Sequence, residues 1–294
     1  MRYDNRLTGS TMMPPTPGSA LPRLLFRRIA LFFTLLVVPY ARSDSASSIA
    51  WRSALNLDYN TAAATLEAQH RAQPDDARIA IAFATSLLVR DPVTANNVAY
   101  AQEILETLLA RLTQADTTHR PLVIYLLGRI AHDHVTPAQL DVAQSRYAQL
   151  RHDYPRHPLA DQAAVHLAYI VSVDTPPSDP LEGVATVETL LASVVSPAAR
   201  RELHFLIAHL HWQGRGDAAA ALPHYIAGRA IGFEAPYRDG EVDLTIAGLA
   251  AELGRDELAA EHYLAFVEAH PRDARAQTAR RLAGEARARI ATTP

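Results

Sequence analysis

The chain has 294 residues, of which 49% are hydrophobic, and it carries a formal net charge of −3. All 28 basic residues are Arg, and there is no Lys and no Cys, which excludes Lys nucleophiles, disulfides, thiolate catalysis and Cys-ligated metals. Ala is abundant whereas Gly occurs only 12 times, which favours helix over strand because Ala loses no side-chain entropy in a helix.

The first 43 residues are predicted to be a cleaved signal peptide. Three Arg within residues 23–28 precede an apolar run at 29–38, and small polar residues follow it. This order is typical of a secretory signal, and the run is shorter than the about 20 residues that a membrane span needs. We therefore expect export to the periplasm, with cleavage near Ser43 or Ala46. A retained membrane anchor is the alternative.

The charge of the remaining chain argues against a nucleic-acid partner. Residues 1–43 hold six Arg and one Asp, so residues 44–294 carry 22 Arg against 30 acidic residues, a net charge of −8. Surfaces that bind nucleic acid are basic. No membrane span is expected in this mature chain.

One spacing recurs along the mature chain: Ala, a central residue four positions later, another residue three positions later, and Pro five beyond that. It occurs twice in full, at Ala143-Tyr147-Leu150-Pro155 and at Ala259-Tyr263-Phe266-Pro271. Looser copies stand at Ala62-Leu66-Gln69-Pro74, Ala185-Thr189-Ala192-Pro197, Ala101-Leu105-Leu108 and Ala221-Tyr225-Gly228. The central position recurs every 36 to 42 residues, which indicates a stack of similar units.

Each unit is predicted to be a pair of helices, a front helix and a back helix. The predicted front helices are 49–56, 77–89, 121–132, 159–172, 198–213 and 236–253. The predicted back helices of the second to sixth units are 95–112, 137–152 and three helices that end near residues 195, 230 and 269. Gly216 and Gly254 stand in the turns between two helices, where Gly adopts a positive φ at little cost. No segment alternates with period two over a convincing length, so no sheet is expected.

The repeats are predicted to span residues 44–271, and residues 272–294 to form one further helix and a tail. Few apolar side chains occur in this terminal helix, and a polar terminal helix is what closes the open end of a repeat stack. The alternative is an anion-docking surface made of its six Arg, which are Arg272, Arg275, Arg280, Arg281, Arg287 and Arg289.

Two patterns within the units are more specific than the period. A front helix carries Ile124-x2-Leu127-Gly128-x2-Ala131, and the back helices that begin near Ala143 and Ala259 carry Ala-x3-Tyr followed by Pro. These units resemble tetratricopeptide repeats (TPR). The resemblance implies a right-handed all-α solenoid of about six helix pairs with a C-terminal capping helix, and a role in binding proteins.

The third unit is also similar to the bacterial envelope subset of this family, through Tyr147-x2-Leu150-x3-Tyr154-Pro155-x-His157-Pro158. That subset includes the TPR lipoprotein of the barrel-assembly machinery and the periplasmic TPR protein of the Tol system. The chain lacks the lipidated Cys of the first and the coiled-coil region of the second. The resemblance therefore implies the envelope class of TPR proteins and neither of these two members.

In a TPR stack the front helices line a concave groove, whose residues need not pack. The register set by Gly128 and Pro158 predicts the following groove residues: Tyr125, Arg129, His132, Gln162, His166 and Tyr169, with Arg78 and Thr85 extending the surface. Such a set suits an extended peptide, since Arg binds carboxylates and Tyr makes flat contacts. The alternative is that these residues form the solvated faces of helices.

The histidines do not predict a metal site. No two of the 13 His have the i, i+4 spacing of a helical metal pair. On a helix His132 and His134 would lie about 200° apart. Among His204, His209 and His211, only the first and the last share a face, two turns apart. Structural or surface roles are therefore expected, and no metal.

No catalytic or cofactor motif is expected either. Gly214-x-Gly216-x2-Ala219 resembles a dinucleotide fingerprint, which needs a strand before it, whereas residues 204–213 have a helical pattern. There is no Gly-x-Ser-x-Gly elbow.

The sequence thus predicts an exported, non-enzymatic TPR scaffold without cofactors that binds envelope proteins through a groove. Two alternatives stay open. One is an enzyme or enzyme accessory that acts on envelope polymer with His and carboxylates in the groove. The other is a membrane-anchored assembly subunit that retains the N-terminal segment.

Overall fold

A computed structural model of the chain describes residues 50, 52–233 and 237–292, all within one unit that spans residues 43–294. The predicted signal peptide lies outside the described residues. A short helical segment that includes residues 52–55 precedes the first long helix. The long helices are α1 (Tyr59–Ala72), α2 (Ala77–Val89), α3 (Ala95–Arg111), α4 (Arg120–Arg129), α5 (Leu140–Asp153), α6 (Pro158–Tyr169), α7 (Pro180–Ser193), α8 (Pro197–Arg215), α9 (Ala218–Ile231), α10 (Tyr237–Glu252), α11 (Asp256–Ala269) and α12 (Ala276–Thr292).

Short-range chemistry at the helix ends explains these bounds. Asp76 and Asp217 cap α2 and α9, where their carboxylates accept hydrogen bonds from backbone N–H groups of the first turn. Four helices have Pro in the first turn, where its missing N–H costs nothing: α4, α6, α7 and α8. Gly216 and Gly254 each have a φ of +67°, as the turn prediction required.

The helices pack as consecutive pairs. Each long helix contacts its neighbours in sequence, and the front helices α4, α6 and α8 also contact one another in turn. No strand occurs among the described residues. The predicted all-α solenoid of helix pairs is therefore confirmed.

The recurring spacing builds the contact between the two helices of a pair. Ala143, Tyr147 and Leu150 of α5 are all fully buried. The small Ala lets the helices approach, and the Tyr ring fills the space beside Gly128 of α4. A Cβ atom at Gly128 would lie 2.7 Å from Cε1 of Tyr147, so a larger residue at this front-helix position would force the Tyr147 ring to shift.

The predicted register of the fourth unit is wrong by two residues. Ala185, Thr189 and Ala192 are exposed on α7, whereas Gly183 and Val187 are buried at the same four-residue spacing. The reason is that the branched apolar side chain of Val187 removes more apolar surface from water than Thr189 would.

The C-terminal helix closes the stack through small side chains. Its buried face consists of Ala276, Ala279, Ala283 and Ala286, which pack against α11. Residues 272–275 precede the helix instead of belonging to it, because Asp273 donates its backbone N–H to His270 and accepts the backbone N–H of Arg275.

Three of the six Arg near the C-terminus are engaged in ion pairs within the chain. Arg275 pairs with Glu241 at 2.7 Å, Arg289 pairs with Asp256 at 2.6 Å, and Arg281 pairs with Glu285. The first two pairs tie the terminal segment to α10 and α11, which fits a capping role.

None of the helices in the described part of the chain has both the length and the apolar composition that crossing a bilayer requires.

Candidate functional site

The predicted groove residues fall on three front helices. Tyr125, Arg129 and His132 form a stripe along α4 and the turn that follows it. The side chains of Gln162, His166 and Tyr169 occupy the corresponding stripe of α6. Arg78 and Thr85 lie on α2. The structure brings the first two sets together and leaves the third on its own helix.

The α4 stripe does not form an open groove surface. Arg129 and His132 are each only 3% exposed, and Tyr125 is 9% exposed. The expectation that these positions need not pack is therefore wrong for α4. The reason is that α6 packs against α4 and Tyr147 of α5 reaches the same space, so the three side chains lie beneath α6.

Four aromatic rings meet at this point, contributed by α4, by the turn that follows it, by α5 and by α6. The rings of Tyr147 and His166 are stacked, with centroids 5.0 Å apart and an interplanar angle of 11°. His132 meets the rings of Tyr147 and His166 edge-on, at 6.2 and 5.7 Å. The Tyr125 hydroxyl lies 3.0 Å from Nε2 of His166. This network therefore holds α4, α5 and α6 in one arrangement.

A buried ion pair lies beside the rings. Nε of Arg129 donates to Oδ2 of Asp133 at 2.6 Å, and Nη1 of Arg129 donates to the Tyr125 hydroxyl at 3.4 Å. Burial alone would lower the pKa of Arg129, but Tyr125, Asp133 and Tyr147 outweigh it and raise that pKa above its ordinary value. Arg129 is therefore a charged structural group, and its side chain is not directed at a partner.

Two π-helical turns occupy equivalent places in adjacent units. One, Ile130–His134, follows α4, and the other, Ile170–Asp174, follows α6. Nε2 of His132 in the first turn lies 2.9 Å from Oδ2 of Asp174 in the second. π turns are rare and occur frequently at functional sites. This bond joins the C-terminal ends of two neighbouring front helices.

The α6 stripe is the accessible part of the site. Gln162 and His166 are half-buried, and Tyr169 is 38% exposed. These three side chains lie along one face of α6 at i, i+4 and i+7. The buried network of α4 forms the layer beneath them.

The two residues predicted on α2 differ in exposure. Arg78 is exposed, and its guanidinium bonds to Asp76 at 3.0 Å, which also caps the helix. Thr85 is 6% exposed and donates its hydroxyl to the carbonyl of Ile81, so it does not extend an outer surface. The prediction of Thr85 as a surface residue is therefore wrong.

Three members of the site were not predicted as site residues: Asp133, Tyr147 and Asp174. Asp133 follows Arg129 by four residues, a spacing that is typical of helical ion pairs. Asp174 follows His132 by 42 residues, which is one period of the repeat. Both spacings can be read from the sequence. The spacing of 42 residues becomes informative only once the repeat fold is known. Across the residues that the structure describes, no three or more His, Asp or Glu are grouped as a metal site.

Comparisons with known proteins find similarity only among solved structures. No family model and no curated protein matches the chain. A crystal structure of the APC/C hetero-tetramer Cut9–Hcn1 aligns with a TM-score of 0.47 and 14% identity, over 81% of this chain and 42% of that chain. The assembly chaperone of RpL4, Acl4, aligns with a TM-score of 0.46 and 10% identity, over 84% of this chain and 96% of that chain. The chain thus spans about two fifths of the first protein, and at these values neither similarity bears on what it binds.

Proposed function

We propose that the chain is an exported, non-enzymatic TPR-like scaffold that holds proteins of the bacterial envelope together. It would bind an extended peptide or a helix along its front helices, with no chemistry and no cofactor of its own. Export rests on the sequence of residues 1–43, and the envelope class rests on the resemblance of the third unit. The surface proposed for this binding is the α6 stripe, Gln162, His166 and Tyr169.

The observation that carries this proposal is the layered construction of the α6 stripe. Gln162 and Tyr169 offer an amide and a flat aromatic surface to a partner, and His166 between them is fixed by its stacking on Tyr147. Because His166 is already ordered by this stacking, it loses little conformational entropy on binding. Amide and aromatic groups together suit peptide backbones and apolar side chains.

Site-specific photo-crosslinking in the host cell tests where a partner binds. A benzophenone amino acid replaces Tyr169 in one variant and Tyr100 in the other. Tyr100 is a matched control because it is an exposed Tyr, 44% accessible, on the back helix α3. We expect a discrete protein adduct from position 169 and none from position 100. Equal adducts at both positions, or none at either, would contradict the assignment of the front helices.

The export part of the proposal has its own measurement. N-terminal sequencing of the protein recovered from the periplasmic fraction should show a start at Asp44 or Ser47. Recovery from the cytoplasmic fraction alone would contradict export, and an uncleaved N-terminus in the membrane fraction would favour the anchored alternative.

A further inference from the structure

A second group of polar aromatic side chains lies in the fifth unit, away from the candidate groove. His204 and His211 lie two turns apart on α8, and His224 lies on α9, the back helix of the same pair. The ring centroids of His204 and His224 are 5.3 Å apart, and those of His211 and His224 are 6.2 Å apart. All three rings are half-buried between the two helices.

The Nδ1 atoms of His204 and His224 are 3.2 Å apart and share a hydrogen bond, in which one ring donates and the other accepts. Two imidazole nitrogens that bind one tetrahedral Zn²⁺ at about 2.05 Å lie about 3.3 Å from each other. The observed separation is therefore within about 0.1 Å of that of a metal-ligand pair. A bound ion would replace the hydrogen bond between the two rings, and the separation of the nitrogens would change by only about 0.1 Å.

A third imidazole and two charged side chains of opposite sign lie around the pair. Nδ1 of His211 is buried and has no hydrogen-bond partner within the described residues, so a third imidazole nitrogen is near and uncommitted. Glu188 of α7 interacts electrostatically with His224, whereas Arg200 of α8 acts on His204. Each half of the pair therefore has one charged neighbour, and the two neighbours are of opposite sign.

We propose that His204 and His224 bind a divalent transition-metal ion, with Zn²⁺ as the reference case, through their Nδ1 atoms. Imidazole is a preferred ligand of zinc, nickel and copper ions. Water completes the coordination, because the described residues hold no ready-made group of three ligands. The bound ion joins α8 to α9, so it stabilises the fifth unit of the stack.

Helical spacing does not reveal this pair, because His204 and His224 lie on different helices. His224 lies 20 residues after His204, across the turn at Gly216, and antiparallel packing brings the two together. This site is independent of the proposed groove.

Thermal unfolding tests the site in the full chain, purified without a polyhistidine tag and treated with EDTA. ZnCl₂ at a hundredfold excess over its dissociation constant should raise Tm by about 3–6 °C. His204→Gln and His224→Gln should each abolish the shift. His209→Gln is the matched control, because His209 is exposed on α8 and its substitution should leave the shift unchanged.

Titration calorimetry decides the outcome if one variant fails to fold. The site is supported if the wild-type chain binds one zinc ion and the variant that folds binds none. The proposal is overturned if the wild-type chain shows no zinc-dependent shift, or if both His→Gln variants retain it.

Discussion

The third and sixth units share one spacing but fill it differently. In the third unit Tyr147 contacts His132 and His166, and a buried ion pair lies beside them. In the sixth unit Tyr263 and Phe266 pack into a cluster of mostly aliphatic side chains, with Trp212 and Tyr225 packed against it. Both units have the small Ala and the large ring, and the third unit also has an ion pair beside the ring whose two side chains are each 4% exposed. The polar groups of the third unit therefore call for an explanation beyond folding.

The sixth unit also has an ionic network, but it is built at the edge of its core. Asp243 of α10 accepts two hydrogen bonds from Arg229 of α9, both at 3.0 Å, and lies 2.9 Å from Nδ1 of His262 of α11. The Arg229 side chain is 29% exposed, whereas that of Arg129 in the third unit is 4% exposed. Water can therefore screen the second network and cannot screen the first.

Arg129→Met should have the largest effect. It removes one partner of a buried ion pair and leaves the Asp133 carboxylate buried without its cation, which costs about 3–5 kcal/mol of unfolding free energy. Urea denaturation at pH 7 measures this loss. Arg281→Met is the matched control, because the pair of Arg281 and Glu285 is exposed and should contribute less than about 1 kcal/mol. Similar losses in the two variants would show that the third-unit pair is not as buried as described.

Asp243→Asn should cost about 2–3 kcal/mol at pH 7, because charge-assisted hydrogen bonds from Arg229 and His262 are lost. Burial raises the pKa of Asp243, but the bonds from His262 and Arg229 outweigh it, so this pKa lies below its ordinary value. A carboxylate with a lowered pKa stabilises the fold above the unfolded-state pKa, and this contribution is lost as pH falls through the folded-state pKa.

The pH dependence separates this effect from a packing defect. The stability difference between the wild-type chain and Asp243→Asn should be complete above about pH 5 and should shrink as pH falls below about 4. Urea titrations at pH 7, 5 and 3 follow it. A difference that stays constant over this range would mean that the charge of Asp243 does not stabilise the fold.

Gly128→Ala should have the smallest of the three effects. The new Cβ meets Cε1 of Tyr147 at 2.7 Å, and this overpacking exceeds the gain in helix propensity, for a net loss of about 1–2 kcal/mol. Gly248→Ala is the control, since Gly248 is exposed on α10 and nothing lies within 4 Å of its added Cβ. That variant should gain up to about 1 kcal/mol. A stabilised Gly128→Ala protein would contradict the close approach of Tyr147.

The helix pairs could be predicted from the sequence because the residues that begin and end each helix lie next to it in the chain. Asp76 and Pro92 bracket α2, whose observed bounds Ala77–Val89 equal the predicted ones. In the fourth unit the same reasoning failed because Ala185 and Gly183 are both small enough for the close-packed position. Which of them is buried depends on Val187, whose contact with the rest of the core is not local.

The candidate site was less predictable than the fold. The predicted positions on α4 and on α6 each fall on one face of their helix, but the burial of Arg129 depends on how closely two units approach. The two π turns each shift the register of the residues after them, and no helical periodicity anticipates that. The pairing of His132 with Asp174 follows only once both turns are known.

The bond between His132 and Asp174 has a mechanical consequence. A linear stack bends by opening or closing the angle between successive units, and this bond holds together the ends of α4 and α6 that such bending would spread. The third and fourth units should therefore move as one stiff segment. Changes in the curvature of the solenoid are then left to the junctions on either side, so a partner bound along α6 would meet a surface of constant shape.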